Sequence, residues 1–268
     1  MKKTLLFALM LETLFVFSSC DNTAVRDMQD RVDELEARLA AMEQEQQTSN
    51  GSSNNQSSTT PSGSSQSSVS GTIDGHDYVD LGLPSGTLWA TCNVGANTPD
   101  GYGDYFAWGE TTPKSDYSWS TYQYGTAYDQ LTKYCNNSDY GKNGFTDGKT
   151  VLDAEDDAAT ANWGSGWRMP TYDEIVELYT ECTSTWTTQN GVYGRKFTAS
   201  NGNSIFLPAA GFYLGSGLYY AASFGFYWSS SLGTDDPYGA YGLYFYSDYV
   251  YWYYDGRCCG LSVRPVVR

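Results

Sequence analysis

Apolar and polar positions along the chain follow four successive patterns, and each predicts a different kind of element. Leu5 to Phe17 is largely apolar, with one acid, Glu12, inside the run. That run is too short to span a bilayer comfortably. Between residues 25 and 42 the apolar positions are Val25, Met28, Val32, Leu35, Leu39 and Met42, separated by Asp, Glu, Arg, Gln and Ala. Alternating spacings of three and four make a heptad seam, and a lone helix would leave such a stripe wet. Residues 21–46 are therefore expected to form a short coiled-coil stalk and to make the chain a homo-oligomer through 25–42. Both dimer and trimer remain open, as does a solvated spacer helix. Residues 47–70 are almost all Ser, Asn, Gln, Thr and Gly. They predict a disordered linker with a mean reach of about 27 Å.

From residue 71 the apolar runs become short and are broken by Gly, Pro and Ser, as in strands joined by turns. Strands are expected at Tyr105–Trp108, Ser204–Leu207, Phe226–Ser229, Gly242–Tyr246, Tyr249–Tyr253 and Ser262–Val266. Two helices are expected. One covers Asp153–Asn162, with Asp153, Glu155, Asp156 and Asp157 at its positive end. The other covers Tyr172–Cys182, with Thr171 and Glu174 as a capping box and Ile175, Leu178 and Tyr179 on one apolar face. Two helices among many short antiparallel strands predict an α+β domain over 71–268, preceded by the coiled-coil helix and the linker.

Composition narrows the function. Residues 71–268 hold 22 acidic and 10 basic side chains. That balance repels phosphate backbones, so nucleic acid is not expected as a partner. His76 is the one histidine, and no Cys-x-x-Cys pair occurs, so neither a metal site nor any other cofactor is expected. Met1-Lys2-Lys3, the apolar run and Phe17-Ser18-Ser19-Cys20 together describe a signal peptide over residues 1–20. The small-small-Cys ending resembles a bacterial lipobox. It implies lipidation of Cys20, a membrane anchor, and a place on the outer membrane or cell surface of a Gram-negative-type bacterium. Simple secretion with Cys20 incidental is the alternative.

Several strings in the head carry a family resemblance. Gly164-Ser165-Gly166-Trp167-Arg168-Met169-Pro170-Thr171, running into a helix, resembles an element of bacterial C-type-lectin-like domains, shared by formylglycine-generating-enzyme-like proteins. Leu83 to Ala90, Tyr102 to Glu110, Leu207 to Gly211, Tyr227 to Ser230 and Ser262 to Pro265 resemble the major paralogous domain family of bacterial surface lipoproteins. The set implies a C-type lectin fold.

The last stretch is unusual in what it lacks. Thr198 to Arg268 contains no Lys, Glu, Gln or Met, whereas residues 1–197 contain 31 of them. Residues 209–268 hold 12 tyrosines. This resembles the variable region of proteins diversified by retroelements, where randomised codons ending in C or T cannot encode those four types. The resemblance implies a variable region at about 212–260, with Trp228 and Trp252 as fixed positions. Gly242 to Tyr253 reads as a hairpin turning at Ser247-Asp248, with Leu243, Phe245, Val250 and Trp252 inward and tyrosines outward.

Tyrosine offers a large, rigid contact area and a hydroxyl, the chemistry of antibody paratopes. The expected contact residues are Tyr219, Tyr220, Ser223, Phe224, Asp235, Asp236, Tyr238, Tyr244, Tyr246, Asp248, Tyr249, Tyr251, Tyr253, Tyr254, Asp255, Cys258 and Cys259. They predict a surface-displayed binding protein for an extracellular protein or glycan. Two rival functions are a fimbria-like subunit that self-associates through the same face, and a formylglycine-generating-type oxidase. The oxidases carry paired cysteines a few residues apart, whereas Cys258 and Cys259 are adjacent. Catalysis is therefore not expected.

Overall fold

The computed structural model describes residues 69–267. The expected signal peptide, stalk and most of the linker lie outside them. Ser70, the last residue of the expected linker, already donates its amide to Tyr78 O at 2.8 Å.

Fourteen strands form four sheets among the described residues. The first sheet joins both ends of the domain, in the order β1 (Gly71–Ile73), β2 (His76–Asp80), β3 (Leu88–Ala90) and β14 (Val266–Val267). The second runs β12 (Val250–Gly256), β11 (Gly239–Phe245), β10 (Gly225–Leu232), β13 (Leu261–Ser262) and β4 (Tyr105–Phe106). Within it β10 and β13 are parallel, and the other neighbours are antiparallel. A three-stranded sheet comprises β5 (Thr183–Gln189), β6 (Val192–Thr198) and β7 (Ser204–Pro208), and a ribbon pairs β8 (Phe212–Leu214) with β9 (Gly217–Tyr219).

The α+β expectation is corrected by these sheets: the fold is β-rich. Its two described α-helices, α1 (Ala158–Trp163) and α2 (Tyr172–Glu181), have only 6 and 10 residues. Thr183 to Thr198, for which no element was expected, is a hairpin in full register from Thr183 opposite Thr198 to Gln189 opposite Val192. Its turn is Asn190-Gly191, with φ of 49° and 84°. Both values lie in the left-handed region that two-residue hairpin turns need, and Asn-Gly is the pair that adopts it most readily. The first helix also differs from expectation. Ala154–Asp156 is a single 3₁₀ turn, and α1 starts only after Asp157, whose carboxylate caps it by accepting from Thr160 N at 2.9 Å. The capping box of Thr171 and Glu174 forms as expected.

One apolar core lies between the sheets. Val79, Trp89 and Val266 of the first sheet meet Ile175 and Leu178 of α2, Phe197 and Leu207 of the three-stranded sheet, and Tyr227, Leu243 and Phe245 of the second. Of the expected inward face, Leu243 and Phe245 enter this core and Val250 packs against it, whereas Trp252, opposite Leu243, is half-buried and packs on Tyr172 and Tyr241.

Two arginines are part of this interior. Arg264 is 1% exposed. Its guanidinium donates to Asn93 Oδ1, to the carbonyls of Ala90 and Thr91, and to that of Phe206, at 2.9–3.1 Å. Arg257 is 0% exposed and donates to Tyr122 Oη and to the carbonyls of Lys133, Tyr134 and Pro237, each at 2.9 Å. It also lies over the rings of Trp108 and Tyr122 at 5.1 and 5.3 Å. A planar fork with five donors can serve several carbonyls at once, which a lysine cannot. Arg264→Lys is therefore expected to lower the unfolding free energy by about 2–4 kcal/mol, because buried carbonyls lose their donors. Urea denaturation of the full chain measures it, and a loss below about 1 kcal/mol would contradict this role for the guanidinium.

Candidate functional site

Strand alternation places Tyr244, Tyr251 and Tyr253 on the face of the second sheet opposite Leu243 and Phe245. Phe226 of β10 lies across from Tyr244, with ring centroids 5.1 Å apart. Around them the rings form a continuous network. Phe224 packs on Tyr244 at 5.8 Å and on Tyr246 at 5.6 Å, and Tyr244 packs on Tyr253 at 5.9 Å. Tyr246 meets Tyr249 and Tyr249 meets Tyr251, at 6.2 and 5.8 Å. Phe212 and Tyr220 extend the network from the loop side, with Tyr220 on Phe224 at 5.0 Å. Tyr219 closes β9 and packs on Phe212. Ser223, in the same loop, is exposed.

A second group lies beside Tyr253. Tyr253 stacks on Tyr254, Tyr254 meets Tyr238, and Tyr238 meets Tyr128 and Tyr140 at 6.3 and 5.8 Å. Asp236 sits among them, accepting Tyr140 Oη at 2.6 Å and Tyr254 Oη at 3.4 Å. Gly239 makes room for this packing, since a Cβ there would stand 2.4 Å from the Tyr254 ring. Asp235 and Asp248 are exposed at loop tips.

The structure thus brings together most of the expected contact residues, with three qualifications. First, none of these tyrosines stands free in water. Each is half-buried because its neighbours are rings. Burial raises the pKa of Tyr244 far above the ordinary phenol value and raises that of Tyr246 as well. Second, Cys258 and Cys259 are corrected. They are 2% and 5% exposed, because the chain turns inward after Gly256 to deliver Arg257 to the interior. Neither forms a disulfide, and neither is a surface contact. Third, Asp255 points away from a ligand role. Its carboxylate accepts Gly256 N at 2.7 Å and Cys259 Sγ at 3.7 Å.

Phe212 and Phe226, at 4% and 8% exposure, are buried and support the network from within. Sequence reasoning missed Tyr128 and Tyr140, which lie about 100 residues from Asp236 and Tyr238, in a loop whose pairing no local pattern reveals.

Two other features were not anticipated. A cleft of about 570 Å³ lies at the start of α2, lined by Ser85, Leu152, Asp157, Arg168, Glu174 and Glu177 among others. Its polar groups pair with one another. Arg168 forks onto Glu174, which also accepts from Thr87 Oγ1 and Thr171 N, and Glu177 accepts from Ser85. Burial works against ionisation of Glu174, but Arg168 and these donors outweigh it and hold the carboxyl at about 2. Elsewhere, Asp153, Glu155 and Asp156 bring carboxylate oxygens within 4.8 Å of one another. Lys133 Nζ contacts all three, so an ammonium already compensates that charge.

No family model, curated protein or solved structure matches the chain.

Burial pushes the Asp255 carboxyl up to about 6, against the opposing hydrogen bonds from Gly256 and Cys259. A carboxyl whose folded pKa exceeds its unfolded value holds its proton longer in the folded state. Stability then falls as pH rises from about 4 to about 6. Asp255→Asn removes this loss. The variant is expected to gain about 1–2 kcal/mol over the parent between pH 4 and pH 7, read as the difference of their urea midpoints. A difference that stays constant with pH would contradict a raised Asp255.

Proposed function

We propose that this chain is a surface-displayed ligand-binding protein and that the aromatic face of β10, β11 and β12 is its contact surface. The observation that carries this reading is the ring network itself. On one side of a single sheet it links Tyr220, Phe224, Tyr244 and Tyr253, and at the end of β12 it passes through Tyr254, which alternation turns to the other side, to Tyr238. Rings that support one another lose little side-chain freedom when a partner arrives, so the ordering cost of association is small. The sheet's other face is fixed to the core by Tyr227, Leu243 and Phe245.

The chemistry of the site also favours binding over catalysis. The paired cysteines that an oxidase would need are adjacent and buried. The phenols of the face have burial as their main perturbation, not an adjacent base. The resemblance to retroelement-diversified variable proteins supports the same reading. Half-buried tyrosines over a separately anchored frame are positions where side chains can vary without unfolding the domain. In the proposed whole, Cys20 carries the lipid anchor at the outer membrane or cell surface. Residues 25–42 oligomerise the chain, and the linker gives the head its reach.

One observation favours a second reading. Among the described residues β12 is the outermost strand of its sheet, and an edge strand can add a strand from another copy. On that reading the face would join subunits of a fimbria-like assembly.

The experiment is to replace Tyr249, Tyr251 and Tyr253 together by Ser in the full chain, and to replace Tyr227 by Ser in parallel. The triple change is expected to cost about 1 kcal/mol or less per site, whereas Tyr227→Ser costs about 3 kcal/mol or more. Sedimentation of the triple variant should match that of the parent. A triple variant that unfolds would mean the rings serve the fold. One that folds but loses assembly would favour the fimbria-like reading.

A further inference from the structure

Resting on the reading of the aromatic face as a contact surface, we infer that its partner presents cationic side chains. They are received where Tyr128, Tyr140, Tyr238 and Tyr254 surround Asp236.

The charges of this region fall into two places. Between Thr198 and Val267 the cations are Arg257 and Arg264, both buried and committed to carbonyls. The carboxylates of the same stretch lie at or near the surface: Asp235 and Asp248 are exposed, and Asp236 and Asp255 are half-buried. Asp129, half-buried, and Asp139, exposed, flank Tyr128 and Tyr140 on the neighbouring loop. Lys142, also exposed, is the cation nearest in sequence to that group. Arg195 lies near Asp248 at the far end of the face, but it is 6% exposed and bonds to Tyr246 O, Ser247 O and Ser184 Oγ. Apart from Lys142, the charged and aromatic groups of this region are therefore phenols and carboxylates.

That combination selects by charge. An aromatic ring presents a negative face, so a guanidinium or ammonium placed over it is attracted, most strongly when partly desolvated. Here the rings already gather about a carboxylate, with Asp236 held by two phenols. A cation that reaches Asp236 meets a charge-assisted acceptor beside the rings of Tyr140 and Tyr254, whose hydroxyls bond that carboxylate. The same protein uses this chemistry internally. Lys133 lies over the rings of Tyr124 and Tyr134, at 5.4 and 5.1 Å, and contacts Asp156 beneath them. An anionic partner would instead meet the net negative charge of the head.

The test uses the purified full chain and a random dodecapeptide library displayed on phage. Enriched peptides are expected to carry more Lys and Arg than the input. Their affinity should fall about ten-fold with Asp236→Asn, fall again when peptide arginines are replaced by citrulline, and weaken with salt. The citrulline arm needs no change in the protein, so it decides the question even if Asp236→Asn misfolds. Peptides that lose binding with Tyr253→Ser, yet show no Lys or Arg enrichment and ignore both charge removals, would overturn the cationic partner and leave the contact surface standing. Peptides indifferent to Tyr253→Ser, or no enrichment at all, would count against both.

Discussion

Everything this head presents to solvent depends on two guanidinium groups placed where no solvent reaches. Arg264 draws β3 and β7 to the closing segment, and Arg257 draws the loop of Lys133 and Tyr134, the phenol of Tyr122 and the carbonyl of Pro237 to the end of β12. Burying an ion costs several kcal/mol, and hydrogen bonds to charged groups return about 1.5–3 kcal/mol each. The two sums are of similar size. The arrangement therefore specifies position more than it adds stability: three segments must meet at Arg257 and two at Arg264, or a charge is left unpaired. Pro237 immediately precedes Tyr238, so the same fork that closes the interior also sets where the second aromatic group stands.

From that frame follows a division of labour along each strand. In β11, Leu243 and Phe245 enter the core while Tyr244 joins the ring network, and β12 continues the same alternation. The side facing the core is fixed by packing, which tolerates little change in volume. The other side is fixed mainly by ring against ring. Such contacts hold a surface in order without making the fold depend on any one of them. A binding face needs that combination, since a ligand that had to order the surface first would bind more weakly.

Much of this was readable from residue order alone, and the failures have physical causes. The capping box at Thr171 and Glu174 and the hairpin about Ser247-Asp248 rest on contacts within a few residues, and both were found. The Asn190-Gly191 hairpin is just as local but carries a weak signal, because its first strand is rich in Thr, Ser and Gln and its second mixes charged and apolar residues. The α+β expectation fails for the same reason: polar strands carry no apolar period that marks them. Cys258 and Cys259 read as contacts in a variable loop, yet the backbone turns inward after Gly256 and buries them beside Arg257. Tyr128 and Tyr140 reach the site only through long-range packing, with Tyr140 bonded to Asp236, a contact no period in the sequence encodes.

The central claim is that these phenol rings form an ordered surface that water still reaches. Brief nitration of the full chain with tetranitromethane, read tyrosine by tyrosine by mass spectrometry, tests it most directly. Tyr249, Tyr251 and Tyr253 should react after the exposed Tyr193 but well before Tyr117, Tyr134 and Tyr227, which are 0–2% exposed. If the rings of β12 prove as inert as Tyr227, the face is interior and the account is wrong.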